Sequence, residues 1–535
     1  MSQDIVNSVD NLINELNGFG RYQILNLFLT SLTALLIGIS TYNFVFVTGI
    51  PEYRCRVPIC DDDIVVEYTP IWLPNAVPYD NEFPQLCKRY ALRNDSGTFA
   101  KDANCSNELF NKNETIHCDF ENLVFPDRHT TIVNDLNIFC EDHQWKLSLI
   151  GTFSSVGVVI GGPITGYISD RYGRKKILIV AVVFTSLFGV AKSFAESLEA
   201  YIVMDVLETI NGNTIFSTAF IIGIELVGPA YRLTAATSYN VCMSLGEIIL
   251  GTVAWYVNSW RTLLRVLYIP GLIAISYWWI IPESIRWLIC MKKFDEIYII
   301  LGKMSKQNNR PLPENYKTFL KDEDSTNSDT NIKTVLKNRT ICLRFINCCL
   351  IILANYIIFP GLSLSSVTLS GNKYINFIIT STVEIPGNIL CAICLMRFSR
   401  RLTAGVSYFM TGIFCILLYF IDGKNYVGII IYTCGKLMAT IASHTMLIFI
   451  TELFPTAVRQ SLFNISAAVG GVGSMIAPQI PLLAFIWNPL PILTFGFFAL
   501  LASILTALLP ETYNKELPNT ITDSEIIDKN ITTEL

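Results

Sequence analysis

Five titratable side chains interrupt stretches of sequence that are otherwise apolar: Glu208, Glu247, Glu384, Lys436 and His444. Ionisable groups in such surroundings are costly and mark ion pathways, proton relays or structural pairs. Three carboxylates set against one lysine favour a cationic or zwitterionic ligand. Tyr356 and Phe359, in another apolar stretch, can hold an amine by cation–π contact worth about 0.5–2 kcal/mol. His444 follows Lys436 by eight residues, so the two lie near one helix face; a hydrogen-bonded interior role competes there with proton sensing. For Glu208 and Glu247 the plain alternative is pairing with Arg261, Arg265 or Lys436, or protonation on burial. No catalytic constellation accompanies these groups, and no phosphate-cradling G-x-x-x-x-G-K-[ST] loop occurs. The chemistry on offer is binding rather than bond-making, so no enzyme activity and no cofactor are expected. A metal is not expected either: Cys391 and Cys394 form a C-x-x-C without a second pair, and His117, His129 and His143 fall in or beside a hydrophilic segment.

The elements that carry these residues follow from composition. The chain has 535 residues, 51% hydrophobic and 16% charged, with a mean hydropathy of +0.44. A soluble domain carries about 25% charged residues. The apolar residues fall in blocks of roughly 20, the length of a bilayer-spanning helix. Twelve helices are predicted, at 22–50, 144–169, 177–194, 199–226, 232–257, 261–281, 341–364, 372–396, 402–421, 425–451, 460–486 and 489–509. This predicts an all-α membrane protein with two six-helix bundles, 22–281 and 341–509. A short segment (1–21), a linker (282–340) and a polar tail (510–535) complete it. Residues 1–20 lack the basic start and apolar core of a signal peptide. The net charge is −5 and no basic tract suggests a nucleic-acid partner. The expected partners are the lipid bilayer and a small solute, with the chain acting as a monomer.

Lys and Arg in short loops set the orientation. Arg171, Arg174, Lys175 and Lys176 follow helix 2, Arg232 follows helix 4, Arg397, Arg400 and Arg401 follow helix 8, and Arg459 follows helix 10. The alternate loops hold Lys192, Arg261, Lys373 and Lys424 almost alone. Both termini and the linker are therefore expected in the cytoplasm of a plasma-membrane protein. The 51–142 segment is then extracellular. It carries sequons at Asn94, Asn104 and Asn113 and six cysteines, Cys55, Cys60, Cys87, Cys105, Cys118 and Cys140. Three disulfides are expected, with about 15 pairings open. Its 17 acidic and 8 basic residues can attract cations only weakly, because salt screens beyond about 8 Å.

Between helices 2 and 3 stand Gly166, Asp170, Arg171, Gly173, Arg174, Lys175 and Lys176. This resembles the signature loop of the major facilitator superfamily, G-x-x-x-D-R-x-G-R-[RK]. Helix 4 ends with Glu225 and Arg232, helix 6 with Pro282, Glu283 and Arg286, helix 10 with Glu452, Pro455 and Arg459, and helix 12 with Pro510, Glu511 and Thr512. The two halves thus carry E-x-x-G-x-x-x-R and E-x-x-P-x-x-x-R, the weak internal symmetry of a repeated transporter. Together these resemble the organic cation/anion transporter family over about 20–510 and, less closely, the sugar porters. Sugar porters carry a Gln-Gln pair on helix 7, where 345–359 has no glutamine, and they lack the long cysteine-rich loop.

The resemblance implies the major facilitator fold and transport by alternating access. It implies a cytoplasmic gate in which Gly166, Asp170, Arg171, Gly173, Arg174, Glu225, Arg232, Glu452 and Arg459 hold the outward-facing state closed. The expected substrate site is Glu208, Glu247, Tyr356, Phe359, Glu384, Lys436 and His444, of which Glu384 and Lys436 match usual positions of that family. Two of these depart from the family: Glu208 stands where arginine is common, and Glu247 where glutamine is. A third departure is Gly471, where cation transporters carry aspartate and anion transporters arginine. Within Gly470, Gly471 and Gly473, close helix packing and a hinge are expected. The resulting expectation is facilitated uptake of a small organic cation or zwitterion, an amine or a carnitine-like molecule. A 100 mV potential supplies about 2.3 kcal/mol for a monovalent cation. Organic-anion exchange is the main alternative; a sugar porter or a non-transporting sensor is less favoured.

Overall fold

The computed structural model describes residues 10–57, 60–61, 67–80, 83–85, 87–93, 105–118, 122–125, 130–312, 337–421, 426–454 and 456–513. Asn94, Asn104, His129, Pro455 and the polar tail beyond 513 lie outside the described residues, as does the Arg459 side chain.

Twelve long helical elements are present among them: α1 (Arg21–Val47), α2 (Glu141–Tyr172), α3 (Arg174–Lys192), α4 (Leu198–Leu226), α5 (Arg232–Tyr256), α6 (Trp260–Ile280), α7 (Arg339–Ser365), α8 (Lys373–Arg397), α9 (Arg400–Phe420), α10 (Tyr426–Leu453), α11 (Thr456–Ile476) and α12 (Leu490–Ala507). Nine of the described helices are long and apolar enough to cross a membrane. α3 falls short because it starts on Arg174, Lys175 and Lys176, and α4 and α5 because acidic and polar residues are spread along them. Side-chain caps fix several starts. Ser197, Asn338, Asn372 and Ser399 accept from backbone N–H groups in the first turns of α4, α7, α8 and α9, satisfying donors that a helix leaves unpaired.

Packing repeats between halves. α1 lies on α5, α2 on α4 and α3 on α4; α7 lies on α11, α8 on α10 and α9 on α10. Each pairing in the second list is the first advanced by six helices. The halves meet where α5 packs on α8 and α2 on α11. Gly471 makes the second approach close, since a Cβ there would stand 2.1 Å from Val159.

One end of the molecule is covered by a cap built from the 51–142 segment. Its short antiparallel ladders pair β1 (Arg54–Cys55) with β6 (Leu123–Val124), β2 (Tyr79–Asp80) with β3 (Phe83–Pro84) and β4 (Lys88–Leu92) with β5 (Phe110–His117). Its own core is small (Val57, Leu73, Ala76, Val77 and Phe110), and it is tied by disulfides Cys55–Cys118, Cys60–Cys105 and Cys87–Cys140, which limit the unfolded chain. Buried Arg54 donates to both Asp61 oxygens at 2.7 and 2.9 Å. Asn113 lies exposed on β5, open to a glycan. At the opposite, motif-bearing end, short helices Ile285–Cys290 and Phe294–Asn308 pack against Leu12, Ile13 and Leu16.

Candidate transport site

Ser244 and Glu247, three residues apart, share one face of α5. Ser381 and Glu384 do the same on α8, and the two faces meet at the bundle boundary. The Ser244 hydroxyl donates across it to Glu384 Oε2 at 3.2 Å. On α10, Lys436 sets its Nζ 2.9 Å from Glu384 Oε1. That ammonium also donates to the Ser363 hydroxyl at 2.7 Å and the Phe359 carbonyl at 3.0 Å. It lies 3.5 Å from the centroid of the Phe359 ring. Two acceptors, an ion-pair partner and an aromatic face thus surround the lysine ammonium.

Glu247 is different. It is fully buried, and neither carboxylate oxygen receives a hydrogen bond among the described residues. Ser381, Glu384 and Lys436 are its polar neighbours. Tyr42 of α1 stands beside Ser363, within the field of Glu247 and Glu384, and its ring meets Phe377 at 6.2 Å. Two acids here face one lysine, and Glu384 takes the direct ion pair. His444 closes the far side: its ring meets Phe359 edge-on at 6.2 Å, and its Nδ1 donates to the Thr440 carbonyl at 2.9 Å. Tyr356 is turned elsewhere, toward α11, where a Cβ on Gly470 would stand 3.0 Å from its ring.

Glu208 is not a free cavity carboxylate, which corrects the expectation for it. It lies wholly inside the first bundle, ion-paired with Lys192. The Ser40 and Tyr268 hydroxyls donate to its Oε1. Lys192 also donates to Asp205 Oδ1 at 2.7 Å and to Asn43 at 3.3 Å, and the Ser154 hydroxyl donates to Asp205 Oδ2 at 2.6 Å. Lys192 ends α3 with its side chain turned into the bundle, although by sequence it counts among the loop charges. Asp205 and Glu208, three apart on α4, receive it together. Arg261 and Arg265 are engaged elsewhere: Arg261 binds Asp135 at 2.9 Å and two backbone carbonyls, and Arg265 binds the Ser193 hydroxyl at 3.0 Å.

The charged motifs form one network in each bundle. In the first, Arg174 pairs with Glu225, which also accepts from Ser284. Glu283 accepts from the backbone N–H groups of Arg174 and Lys175 at 2.9 and 3.0 Å, capping α3. Gly173 (φ +104°) is required there, because a Cβ would meet Glu283 at 2.5 Å. Arg232 and Arg286 each lie 2.7 Å from Asp10. In the second bundle Arg400 pairs with Glu452 at 3.2 Å, and Thr512 donates to Glu452 at 2.6 Å. Glu511 accepts from the N–H groups of Arg400 and Arg401 at 3.0 and 3.1 Å. Gly166 lies within α2; Asp170 is exposed, its carbonyl accepting from Trp287. Arg171 is exposed and bonds the Tyr167 hydroxyl at 3.3 Å. The resemblance implies ion pairs that close this end; those named here instead lie within single bundles. The capped ends do touch: Phe46 stacks on Tyr374 at 5.5 Å, and Thr152 and Ser155 donate to the Met475 and Ser474 carbonyls at 3.0 Å.

Two pseudo-symmetric six-helix bundles with a charged site between them define a major facilitator transporter. Residues 99–520 match the family described as "Sugar (and other) transporter", and the chain belongs to that family. It is 29% identical to the "Organic cation transporter protein" of Drosophila melanogaster, covering 97% of this chain and 95% of that one. It is 29% identical to the "Organic cation/carnitine transporter 2" of Homo sapiens, covering 95% and 92%. In fold it matches the inward-open xylose transporter XylE of E. coli, with a TM-score of 0.61 at 14% identity, covering 94% of this chain and 99% of that one.

Proposed function

We propose that this protein carries small organic cations or zwitterions, amines or carnitine-like molecules, across the plasma membrane by alternating access. The observation that carries this reading is Glu247: a fully buried carboxylate at the bundle boundary with no cation paired to it among the described residues and only the Ser381 hydroxyl as a neighbouring donor. An ammonium group supplies the missing charge, and Tyr42, Phe359 and Phe377 offer aromatic surface beside it. Full-length similarity to organic cation and organic cation/carnitine transporters supports the same class. Organic-anion exchange is less favoured, because Lys436 already has Glu384, Ser363 and Phe359 as partners.

In this reading the motif end, both termini and the linker face the cytoplasm, and the cap faces outside. The Arg174–Glu225 and Arg400–Glu452 networks keep each bundle end rigid, while exposed Asp170 and Arg171 are free to meet the other bundle when that end closes. Uptake of labelled tetraethylammonium, L-carnitine and an aromatic carboxylate in oocytes tests the reading. Saturable tetraethylammonium or carnitine uptake is expected, falling at least tenfold in Glu247→Gln with surface protein unchanged. Uptake of the carboxylate alone would overturn it.

A further inference from the structure

We infer that Glu247 binds one organic cation or one proton in turn, so that the protein exchanges an organic cation for a proton. This rests on the organic-cation reading of the site and adds the co-substrate. The starting point is the contrast among four buried carboxylates. Asp205 and Glu208 accept from Lys192 and from the Ser154, Ser40 and Tyr268 hydroxyls. Glu384 holds Lys436 and the Ser244 hydroxyl. Glu247 alone among these has neither oxygen hydrogen-bonded.

The groups around Glu247 come from every facing helix. Tyr42 comes from α1, Ser381 and Glu384 from α8, and Lys436 from α10. His444 lies two turns further along α10, with Nδ1 committed to Thr440. The one cation in this set, Lys436, is spent on Glu384, Ser363 and the Phe359 ring. It acts as a tethered counter-ion that removes Glu384 from the exchange. One acid remains open, so the stoichiometry is one to one.

A carrier has to change state both loaded and empty. Loaded with a monovalent cation, the site is neutral. Empty and ionised, it would carry a carboxylate without a counter-ion of its own through a low-dielectric interior, a state that burial strongly disfavours. A proton removes the charge. Facing outside, the Glu247 carboxyl gives its O–H proton to water, and the carboxylate pairs with the ammonium. Facing inside, the ammonium leaves and the carboxylate takes a proton from that side, forming the O–H bond again. One positive charge enters and one leaves, so the cycle moves no net charge. The membrane potential, expected from sequence to drive uptake, then has no grip on the full cycle.

Tetraethylammonium, which never titrates, is the probe. The full chain in liposomes, with the potential held at zero by valinomycin and equal potassium, is given a lumen one pH unit more acid than the bath. Accumulation of about tenfold is expected, since one proton exchanged per cation makes one pH unit a tenfold concentration ratio. Tetraethylammonium addition should also raise lumenal pH, read with trapped pyranine. Glu247→Asp should retain both effects and Glu247→Gln should lose both. Entry that merely equilibrates, ignores the pH gradient and follows an imposed potential would overturn the exchange and leave the organic-cation reading standing. No entry under any gradient would overturn both.

Discussion

The two bundles are close copies at their motif ends and unlike in the middle. Arg174 and Glu225 are separated by 51 residues, Arg400 and Glu452 by 52. Arg174 and Glu283 are separated by 109, Arg400 and Glu511 by 111. Both networks use an arginine at a helix start, a glutamate from the fourth helix of the bundle, and a second glutamate from just beyond the sixth. At the level of the buried charges the copy fails. The first bundle seals Lys192, Asp205 and Glu208 inside itself, where Tyr268 and Ser40 bond Glu208, Ser154 bonds Asp205 and Asn43 bonds Lys192. The second turns Lys436 and Glu384 to its edge, against Glu247 of the first. Duplication preserved the parts that hold helix ends; the parts that differ are those that leave charge unsatisfied. In the proposed function the sealed cluster gives stability and the open one a place for a solute.

Lys192→Met should have the largest effect on the fold. Removing one partner of a buried ion pair costs about 3–5 kcal/mol, here with two carboxylates left behind. The expected outcome is loss of mature surface protein and a lowered melting temperature in detergent. Glu247→Gln removes a carboxylate without a paired cation, so it should leave surface protein and melting temperature unchanged while uptake falls at least tenfold. A stable Lys192→Met with an unstable Glu247→Gln would reverse the contrast between sealed and open sites. Gly471→Val probes the boundary between bundles. Forcing a side chain against Val159 should cost about 1–3 kcal/mol by overpacking, seen as a lower melting temperature; Gly162→Ala on α2, with only Asn213 within 4 Å, is the silent control. The smallest effects belong to Glu283→Gln and Glu511→Gln. Each weakens a helix-start cap, worth about 0.5–2 kcal/mol, and the two melting shifts should match. Unequal shifts would break the equivalence of the motif ends.

The helices, the cysteine-rich cap and the repeated motifs were legible in sequence because each has a one-dimensional signature: an apolar run, an even set of cysteines, a fixed spacing. Glu247, Glu384 and Lys436 stood out as charges in apolar surroundings, and the structure brings them together with Phe359 and His444. Glu208 stood out for the same reason, yet its environment is set by Lys192, which looked like a loop residue at a helix end. Whether a buried acid is open or sealed depends on which helix faces it, and that is a property of packing between distant segments. Tyr42, Ser244 and Ser363 escaped notice for a related reason, since a tyrosine or serine in an apolar helix carries no charge to mark it. Asp205 had a signal that could have found it, its spacing of three from Glu208 on one helix face. The disulfide pairing was likewise undetermined until the cap's strands fixed which cysteines are neighbours.

The most direct test of the open site is ligand-induced stabilisation of the purified protein. A ligand that binds only the folded state raises the melting temperature as its concentration exceeds its dissociation constant. Tetraethylammonium should stabilise the native chain and Glu208→Gln alike, and should fail to stabilise Glu247→Gln. Stabilisation kept in Glu247→Gln and lost in Glu208→Gln would place the solute in the first bundle's sealed cluster and contradict the account.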